Sequence, residues 1–432
     1  MEPAELDLPF FGRCDHCGSS SKKTLSKCGS CLLVAYCGKD CQRAAWKLHR
    51  AHCVSTTSES VLVLRSKAEG GCQESMYQLG LRYMHGAKVD KSEAEAVKWF
   101  RKAGSNPAAQ LNLGLLLMTG RGAPRDVTGG AALVRAAAEL GDHMAQLQYS
   151  IALMRGLGGR HDPQESVRWA RLAADGGNAE AFHCLGIAYC MGSGVTRNVR
   201  TALHWLLRAA DAGRHESLLP VAAVLEGGGD GLSPDPTAAL EWKRRAAAVG
   251  MPDGIAFLAD ALLSGLGTAV DTAGAARLYK AAAEAGVSRA AVSLGGLYES
   301  GIGGEAPDAR EAVRWFRAAA DAGNDAGQYN LGRCLGHGIG CTRDPAEAAR
   351  WFELAAQVRP SPQAYLGRMR PPSPASIAAQ YSLAMCFASG DGVAFDLSEA
   401  RRWAGLAARA GHEGARSLLL SMDRAASGAA RV

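Results

Sequence analysis

The chain has 432 residues, 47% hydrophobic but only 6% aromatic, and a net charge of +6 from 48 basic and 42 acidic side chains. Its length allows two or three ordinary domains, and its richness in Ala and Gly favours closely packed short helices over a large sheet core. No stretch approaches the roughly 18 apolar residues of a membrane span, and the acidic start, Met1 to Phe11, lacks a secretion-signal pattern.

Residues 1–10 read as a disordered arm. The next stretch is crowded with metal-ligand residue types: Cys14-x2-Cys17-x10-Cys28-x2-Cys31-x5-Cys37-x3-Cys41-x7-His49-x3-Cys53. These are four pairs, each close enough to clasp one side of an ion. Zinc takes four Cys or His ligands in a closed structural site, so eight ligands imply two Zn2+ ions. A segment of about forty residues has too little core to fold unaided. Metal binding of about 10–16 kcal/mol would supply what is missing. A disulfide framework is the bland alternative, and the paired spacings argue against it. Thirteen cysteines in all, seven of them in this stretch, fit a reducing compartment, so the expectation is an intracellular protein of the cytoplasm or nucleus, not a secreted one.

The run Tyr36-Cys37-Gly38-Lys39-Asp40-Cys41-Gln42-Arg43-Ala44-Ala45-Trp46-Lys47-Leu48-His49-Arg50-Ala51-His52-Cys53 resembles the second half of a MYND-type zinc finger, and the upstream CxxC pairs fit its first half. Spacing alone does not choose between sequential and interleaved pairing of ligands. The resemblance implies the interleaved one, with Cys14, Cys17, Cys37 and Cys41 on one zinc and Cys28, Cys31, His49 and Cys53 on the other. His16 and His52 stand beside ligands as bystanders, with His52 the one substitute for His49. Lys39 to Cys53 is expected to be a short helix. The resemblance further implies a shallow groove for short proline-rich or extended peptides, with Gln42 and Trp46 at positions that line it. An aromatic plate packs on pyrrolidine faces while an amide bonds the exposed carbonyls, which suits a polyproline helix. Packing inside the finger is the bland alternative for Trp46.

After a short linker at 54–58 the chain repeats itself with a period of about 36 residues. Each unit reads as a first helix with small-x-x-x-Leu-Gly-x-x-Tyr, a Gly-x-Gly loop, and a second helix with a Trp and an Ala-rich end. The small residue falls at Ser75, Ala109, Ala145, Ala181, Ser217, Gly254, Ala290, Gly327 and Ala379, giving nine units. The second-helix anchor is Trp99, Val134, Trp169, Trp205, Trp242, Tyr279, Trp315, Trp351 and Trp403, so seven of the eight tryptophans share one slot. The pattern is similar to Sel1-like repeats, a helix-turn-helix solenoid akin to tetratricopeptide arrays. The fifth copy departs from it, with Val221-Ala222 in the Leu-Gly place. The expected fold is therefore all-α, a Sel1-like superhelix behind a small two-zinc finger.

The physics agrees with the pattern. The Leu113/Leu117 and Leu185/Tyr189 spacings mark one buried face per first helix. The small residue and the Gly let the paired helix come close, and Asp-Pro at 162–163, 235–236 and 344–345 places a capping carboxylate before a helix-starting proline. Two short helices cannot hide their apolar face alone, so neighbours must stack. Alignment also predicts a solo second-type helix at about 59–70 with Val63 in the Trp slot, and a lone first-type helix at 413–424 followed by a tail at 425–432. A proline-rich insertion at 359–376, with Ser361 and Ser373 before prolines, reads as a surface loop, or as a phosphorylation-controlled segment.

Chemistry beyond metal binding finds no foothold. The Gly-x-Gly loops at 265–267, 301–303 and 338–340 lack the strand and Gly-Lys-Ser/Thr of a phosphate loop and recur at the repeat period, so they read as turns. Cys184 with Cys190, and Cys334 with His337 and Cys341, follow the repeat and read as packing. The Trp stripe reads as core, not as ligand cages. MYND fingers elsewhere accompany methyltransferase SET domains, yet repeats fill residues 54–432 and leave no room for one. No enzyme activity and no small-molecule substrate are expected. Nucleic acid is a weaker rival, because thiolates and zinc bring the finger near neutrality and no aromatic-basic alternation appears. What remains is an adaptor that binds other proteins. A regulatory or substrate-recruiting subunit of a ubiquitin-ligase or chromatin complex is the alternative.

Overall fold

The computed structural model describes residues 26–27, 35–36, 60–302, 305–357 and 372–429. Two strands, β1 (Ser26–Lys27) and β2 (Ala35–Tyr36), pair antiparallel with Ser26 opposite Tyr36 and Lys27 opposite Ala35. From residue 60 onward the described chain is helical. It groups into two compact units, one ending at Trp242 and the other beginning at Lys243.

The first unit opens with α1 (Val61–Glu69). Four complete first-and-second helix pairs follow: α2 (Gln73–His85) with α3 (Glu93–Lys102), α4 (Pro107–Thr119) with α5 (Val127–Glu139), α6 (His143–Arg155) with α7 (Pro163–Asp175), and α8 (Ala179–Met191) with α9 (Val199–Asp211). The fifth copy has a shorter first helix, α10 (Leu218–Gly227), entered through a 3-10 turn at His215–Ser217; Val221 and Ala222 are nonetheless buried. Its second helix, α11 (Pro236–Ala248), runs through the point of division. The second unit pairs α12 (Pro252–Ser264) with α13 (Thr272–Glu284), α14 (Ser288–Ser300) with α15 (Ala309–Asp321), α16 (Asp325–His337) with α17 (Pro345–Ala356), and α18 (Pro374–Ser389) with α19 (Leu397–Arg409). It closes with α20 (Glu413–Ala429).

Local chemistry explains these boundaries. Second helices start where a carboxylate caps the first turn: Glu165 N–H donates to Asp162 Oδ1 at 2.9 Å, Ala238 N–H to Asp235 Oδ1 at 2.9 Å, and Glu347 N–H to Asp344 Oδ1 at 2.8 Å. First helices end on a left-handed glycine, as at Gly120 (φ 72°) and Gly192 (φ 68°). The second glycine of the Gly-x-Gly loop has a different task. A Cβ at Gly194, Gly340 or Gly392 would lie 2.0, 2.1 or 2.0 Å from the carbonyl oxygen that opens the preceding second helix, at Pro163, Ala309 or Pro345. These loops clamp one repeat onto the last, which is why they recur with the period.

The core is a run of seams between helices. The Leu-Gly glycine faces the residue after the tryptophan: a Cβ at Gly80, Gly295 or Gly332 would lie 2.4, 2.6 or 2.8 Å from a ring carbon of Phe100, Phe316 or Phe352. The tryptophan itself turns back toward what precedes it, Trp99 packing on Leu64, Ala68 and Leu79, while Phe100 joins Leu113, Leu116 and Leu117 of the next first helix. The two adjacent aromatics thus serve the two sides of one seam. Burying each such ring removes about 150–250 Å² of surface from water.

Val63, in the Trp slot of α1, sits 45% exposed because no described element lies behind α1 for it to face, while Leu64 beside it is buried. Three expectations are corrected. The insertion ends sooner than 376: Ser373 caps α18, Ser376 N–H donating to its Oγ at 3.0 Å, and Pro374 opens that helix. The last helix continues past Arg424 to Ala429, through an Ala-rich segment without proline. The tryptophan stripe is only partly core: Trp99, Trp315 and Trp403 are buried, whereas Trp169, Trp205, Trp242 and Trp351 keep an edge in solvent.

Candidate functional site

The ligand pattern between Cys14 and Cys53 comprises seven thiols and the His49 imidazole, a donor set of the soft, tetrahedral kind that fits Zn2+. The β1–β2 pair brackets residues 28–34, which include Cys28 and Cys31, and leads straight into Cys37. Cys14, Cys17, Cys28, Cys31, Cys37, Cys41, His49 and Cys53, the groove positions Gln42 and Trp46, the arm at 1–10, the helix expected from Lys39 to Cys53 and the linker at 54–58 lie outside the described residues. So does Ser361. Among the described residues no group of three or more His, Cys, Asp or Glu side chains could hold a metal ion.

Along each first helix, positions three and six after the small residue lie roughly 160° and 100° around the helix axis from the Leu-Gly glycine. In the first unit they are Gln78 and Leu81, Asn112 and Leu115, Gln148 and Ile151, Cys184 and Ile187, a mixture of amides and aliphatics. Gln78, Leu81, Leu115 and Gln148 are buried there, whereas Asn112, Ile151 and Ile187 reach solvent. In the second unit the same positions are Phe257 and Asp260, Ser293 and Gly296, Asn330 and Arg333, Ser382 and Met385. There the charges are engaged between repeats. Arg289 Nη1 meets Asp260 Oδ2 at 2.9 Å while its guanidinium lies 4.0 Å from the Phe257 ring centre, and Arg333 Nη2 donates to both Glu299 carboxylate oxygens at 2.7 Å. Phe257, Asp260, Arg289, Glu299 and Arg333 all remain partly open to solvent. Burial, with help from Asp260, raises the Tyr279 hydroxyl well above its ordinary range.

The cysteine and histidine sets follow the repeat into its packing. Burial pushes the Cys184 thiol up to about 12 and Cys334 up to about 11, and raises Cys190 and Cys341 as well. Thiols so held are protonated and weakly nucleophilic. His183 Nδ1 lies 2.9 Å from Ser217 Oγ, a Ser-His contact by distance, yet Ser217 is fully buried. Burial first, and the Arg214 charge second, hold His183 down at about 4. Ser373, the other phosphorylation candidate, spends its hydroxyl on the α18 cap and on the Asp325 carboxylate.

Two recurring contacts escaped the sequence pattern. Gln146, Gln328 and Gln380, each directly after the small residue, donate Nε2 to the carbonyls of Ala138 (3.4 Å), Ala320 (3.5 Å) and Ala356 (3.2 Å) at the end of the preceding second helix. Trp169 and Trp351 donate Nε1 to Glu165 and Glu347 at 3.2 and 3.1 Å. Both were signalled, by a Gln at small-plus-one and by a repeated Glu-x-x-x-Trp.

Comparison with known proteins divides the chain at the same place. Residues 14–53 match the MYND finger, a zinc-binding module. The Sel1 repeat matches nine segments: 73–106, 107–142, 143–178, 184–213, 221–251, 252–287, 288–324, 325–357 and 377–412. The chain is 47% identical over 45 residues to histone-lysine N-methyltransferase ASHR1 of Arabidopsis thaliana and 48% identical over 40 residues to SET domain-containing protein 14 of Caenorhabditis elegans. Those matches span 10% and 9% of this chain and 9% of each relative, so the likeness is local to the finger. Among solved structures, c5321, a protective antigen of uropathogenic Escherichia coli with an SLR fold, superposes with a TM-score of 0.61 at 30% identity over 84% of this chain and 82% of its own. A Sel1 repeat protein from Oxalobacter formigenes gives 0.57 at 25% identity over 85% and 95%. Modules of both kinds serve protein interaction.

Proposed function

From the premise that the chain belongs to the Sel1 repeat family and carries a MYND finger ahead of its repeats, we propose that it is an adaptor without catalysis of its own. The finger, folded by two zinc ions on the interleaved ligand sets, docks a short proline-rich or extended peptide against Gln42 and Trp46. The first-helix sides of the repeats hold a second protein. Engaging both partners at once raises apparent affinity through effective concentration without any new contact. The reading places the protein in the cytoplasm or nucleus.

One observation carries it. Among the described residues the cysteine and histidine sets that suggested chemistry are engaged in packing, and the Asp-Pro carboxylates in capping: the Cys184 and Cys334 thiols are held protonated by burial, His183 lies against the buried Ser217, and Asp162 caps a helix start. What the repeats leave toward solvent is a row of amide, aliphatic and ion-paired side chains, suited to recognition.

The test is a calorimetric titration of the full chain with a proline-rich peptide, wild type against Trp46→Ala and Gln42→Ala, zinc content being measured in each. Saturable binding to the wild type is expected, with a loss of at least about tenfold in the zinc-loaded Trp46→Ala, the range of a truncated aromatic anchor. Equal affinity in the zinc-loaded variant refutes the groove.

A further inference from the structure

The back of α1 is where a preceding repeat would stand. In the complete repeats the Trp slot closes a seam, and Trp99 does so against Leu64 and Ala68 of α1 itself. On α1 that slot holds Val63, 45% exposed, beside Leu62, 77% exposed. The helix is otherwise built as a second helix of the array. Ser60 caps its start, Leu64 and Ala68 are buried, and Gly71 follows it at φ 92° as Gly177 (φ 79°) follows α7. A single exposed leucine means nothing. Val63 stands where other repeats form a seam, and Leu62 stands exposed where they carry solvated charges such as Lys98, Arg314 and Arg402, so the pair marks a face made to be covered.

What precedes α1 in the chain limits what can cover it. Residues 54–59 alone separate Cys53 from Ser60, a tether of at most about 25 Å when fully extended. A finger of forty residues on that tether stays beside α1. It also brings a consecutive apolar run, Leu32-Leu33-Val34, to a module too small to bury much surface within itself.

We propose that the finger, residues 14–53, seats on Leu62 and Val63 of α1 in the place of a preceding repeat, so that docking head and first unit move as one body. The proposal rests on the zinc-folded finger of the preceding section and adds where that finger sits. It fixes the direction in which a docked peptide leaves the finger relative to the first repeats.

The experiment uses the full chain: wild type, Leu62→Asp, Val63→Asp, and Leu140→Asp as an exposed control on another repeat (Leu140 is 58% exposed). Zinc per chain, the rate of protease cleavage within 54–59, and mass by light scattering are read for each. The wild type is expected to be monomeric, zinc-loaded and slowly cut. Leu62→Asp and Val63→Asp keep their zinc and their array melting but are cut at least about tenfold faster, because burial of an aliphatic side chain no longer holds the closed form; the control behaves as wild type. Equal cleavage in zinc-loaded wild type and variants overturns the seat. A wild-type dimer that Leu62→Asp dissolves also overturns it, assigning the face to a second copy. Absence of zinc in every form overturns the finger itself, a failure the metal measurement separates from the other two.

Discussion

Adjacent glycines in α14 separate two uses of the same residue. A Cβ at Gly295 would lie 2.6 Å from Phe316 Cε1, whereas Gly296 meets nothing within 4 Å and is exposed. Denaturant melts are therefore expected to show Gly295→Ala destabilised by about 1–3 kcal/mol through overpacking. Gly296→Ala should be stabilised by about 0.5–1 kcal/mol through helix propensity. Equal signs would contradict the seam geometry. His183 supplies a second prediction. Its value in the fold, about 4, is below the ordinary 6.5, so the unfolded chain takes up the proton first as pH falls. The stability it contributes is whole above about 6.5, is lost between there and about 4, and changes no further below. Around it stand Ser217, Arg214 and the Arg214 partners Glu180 and Glu216. Urea melts at about pH 7, 5.5 and 4.5 should fall less steeply for His183→Asn than for the wild type; parallel slopes would count against a buried neutral imidazole. The Leu-Gly glycine was legible in the sequence because a missing side chain recurs there. The acidity of His183 was not, since it depends on burial in the fold and on the Arg214 charge, which lies far from it along the chain.

At the scale of elements the repeat register explains why an insertion does no harm. Gln380 reaches the Ala356 carbonyl as Gln328 reaches Ala320, although the first pair is 24 residues apart and the second eight. The sixteen extra residues keep this contact between α17 and α18 in place. Deleting residues 359–374 and adding Ala375→Gly rewrites that junction: Gln357, Val358, the introduced glycine and Ser376 then follow the pattern of Asp321-Ala322-Gly323-Asn324, with Ser376 taking over the cap. The shortened chain is expected to melt within about 1 kcal/mol of the wild type, a typical helix-cap difference. Collapse of the α18–α20 end, seen as a separate early transition, would contradict it. The insertion was visible as one long step in an even series, but its end was misplaced. Ser373-Pro374 is both a turn signal and a cap followed by a first-turn proline, and only the Asp325 and Ser376 contacts decide. Likewise α20 overran its expected end because Ala425 to Ala429 carries no proline to stop a helix.

Across the whole molecule two kinds of folding stand side by side. The repeats are held by a series of similar seams between first and second helices, most with a tryptophan in the anchor slot, and among the described residues no side-chain cluster could hold a metal ion. The finger matches a zinc-binding module with a full set of thiols, and metal binding is expected to supply its stability. Fold class and family were legible because both modules advertise themselves by spacing, one in ligands and one in a period of about 36 residues. Partners were not, because the first-helix positions outside the repeat pattern vary freely from copy to copy, amide and aliphatic in the first unit and more mixed in the second. The most direct test is a native mass spectrum of the full chain, taken with helical circular dichroism before and after a strong chelator. The account predicts two zinc ions per chain, lost on chelation, with proline-rich peptide binding abolished and the helical signal kept. A metal-free chain that still binds the peptide, or an array that unfolds with the zinc, would contradict it.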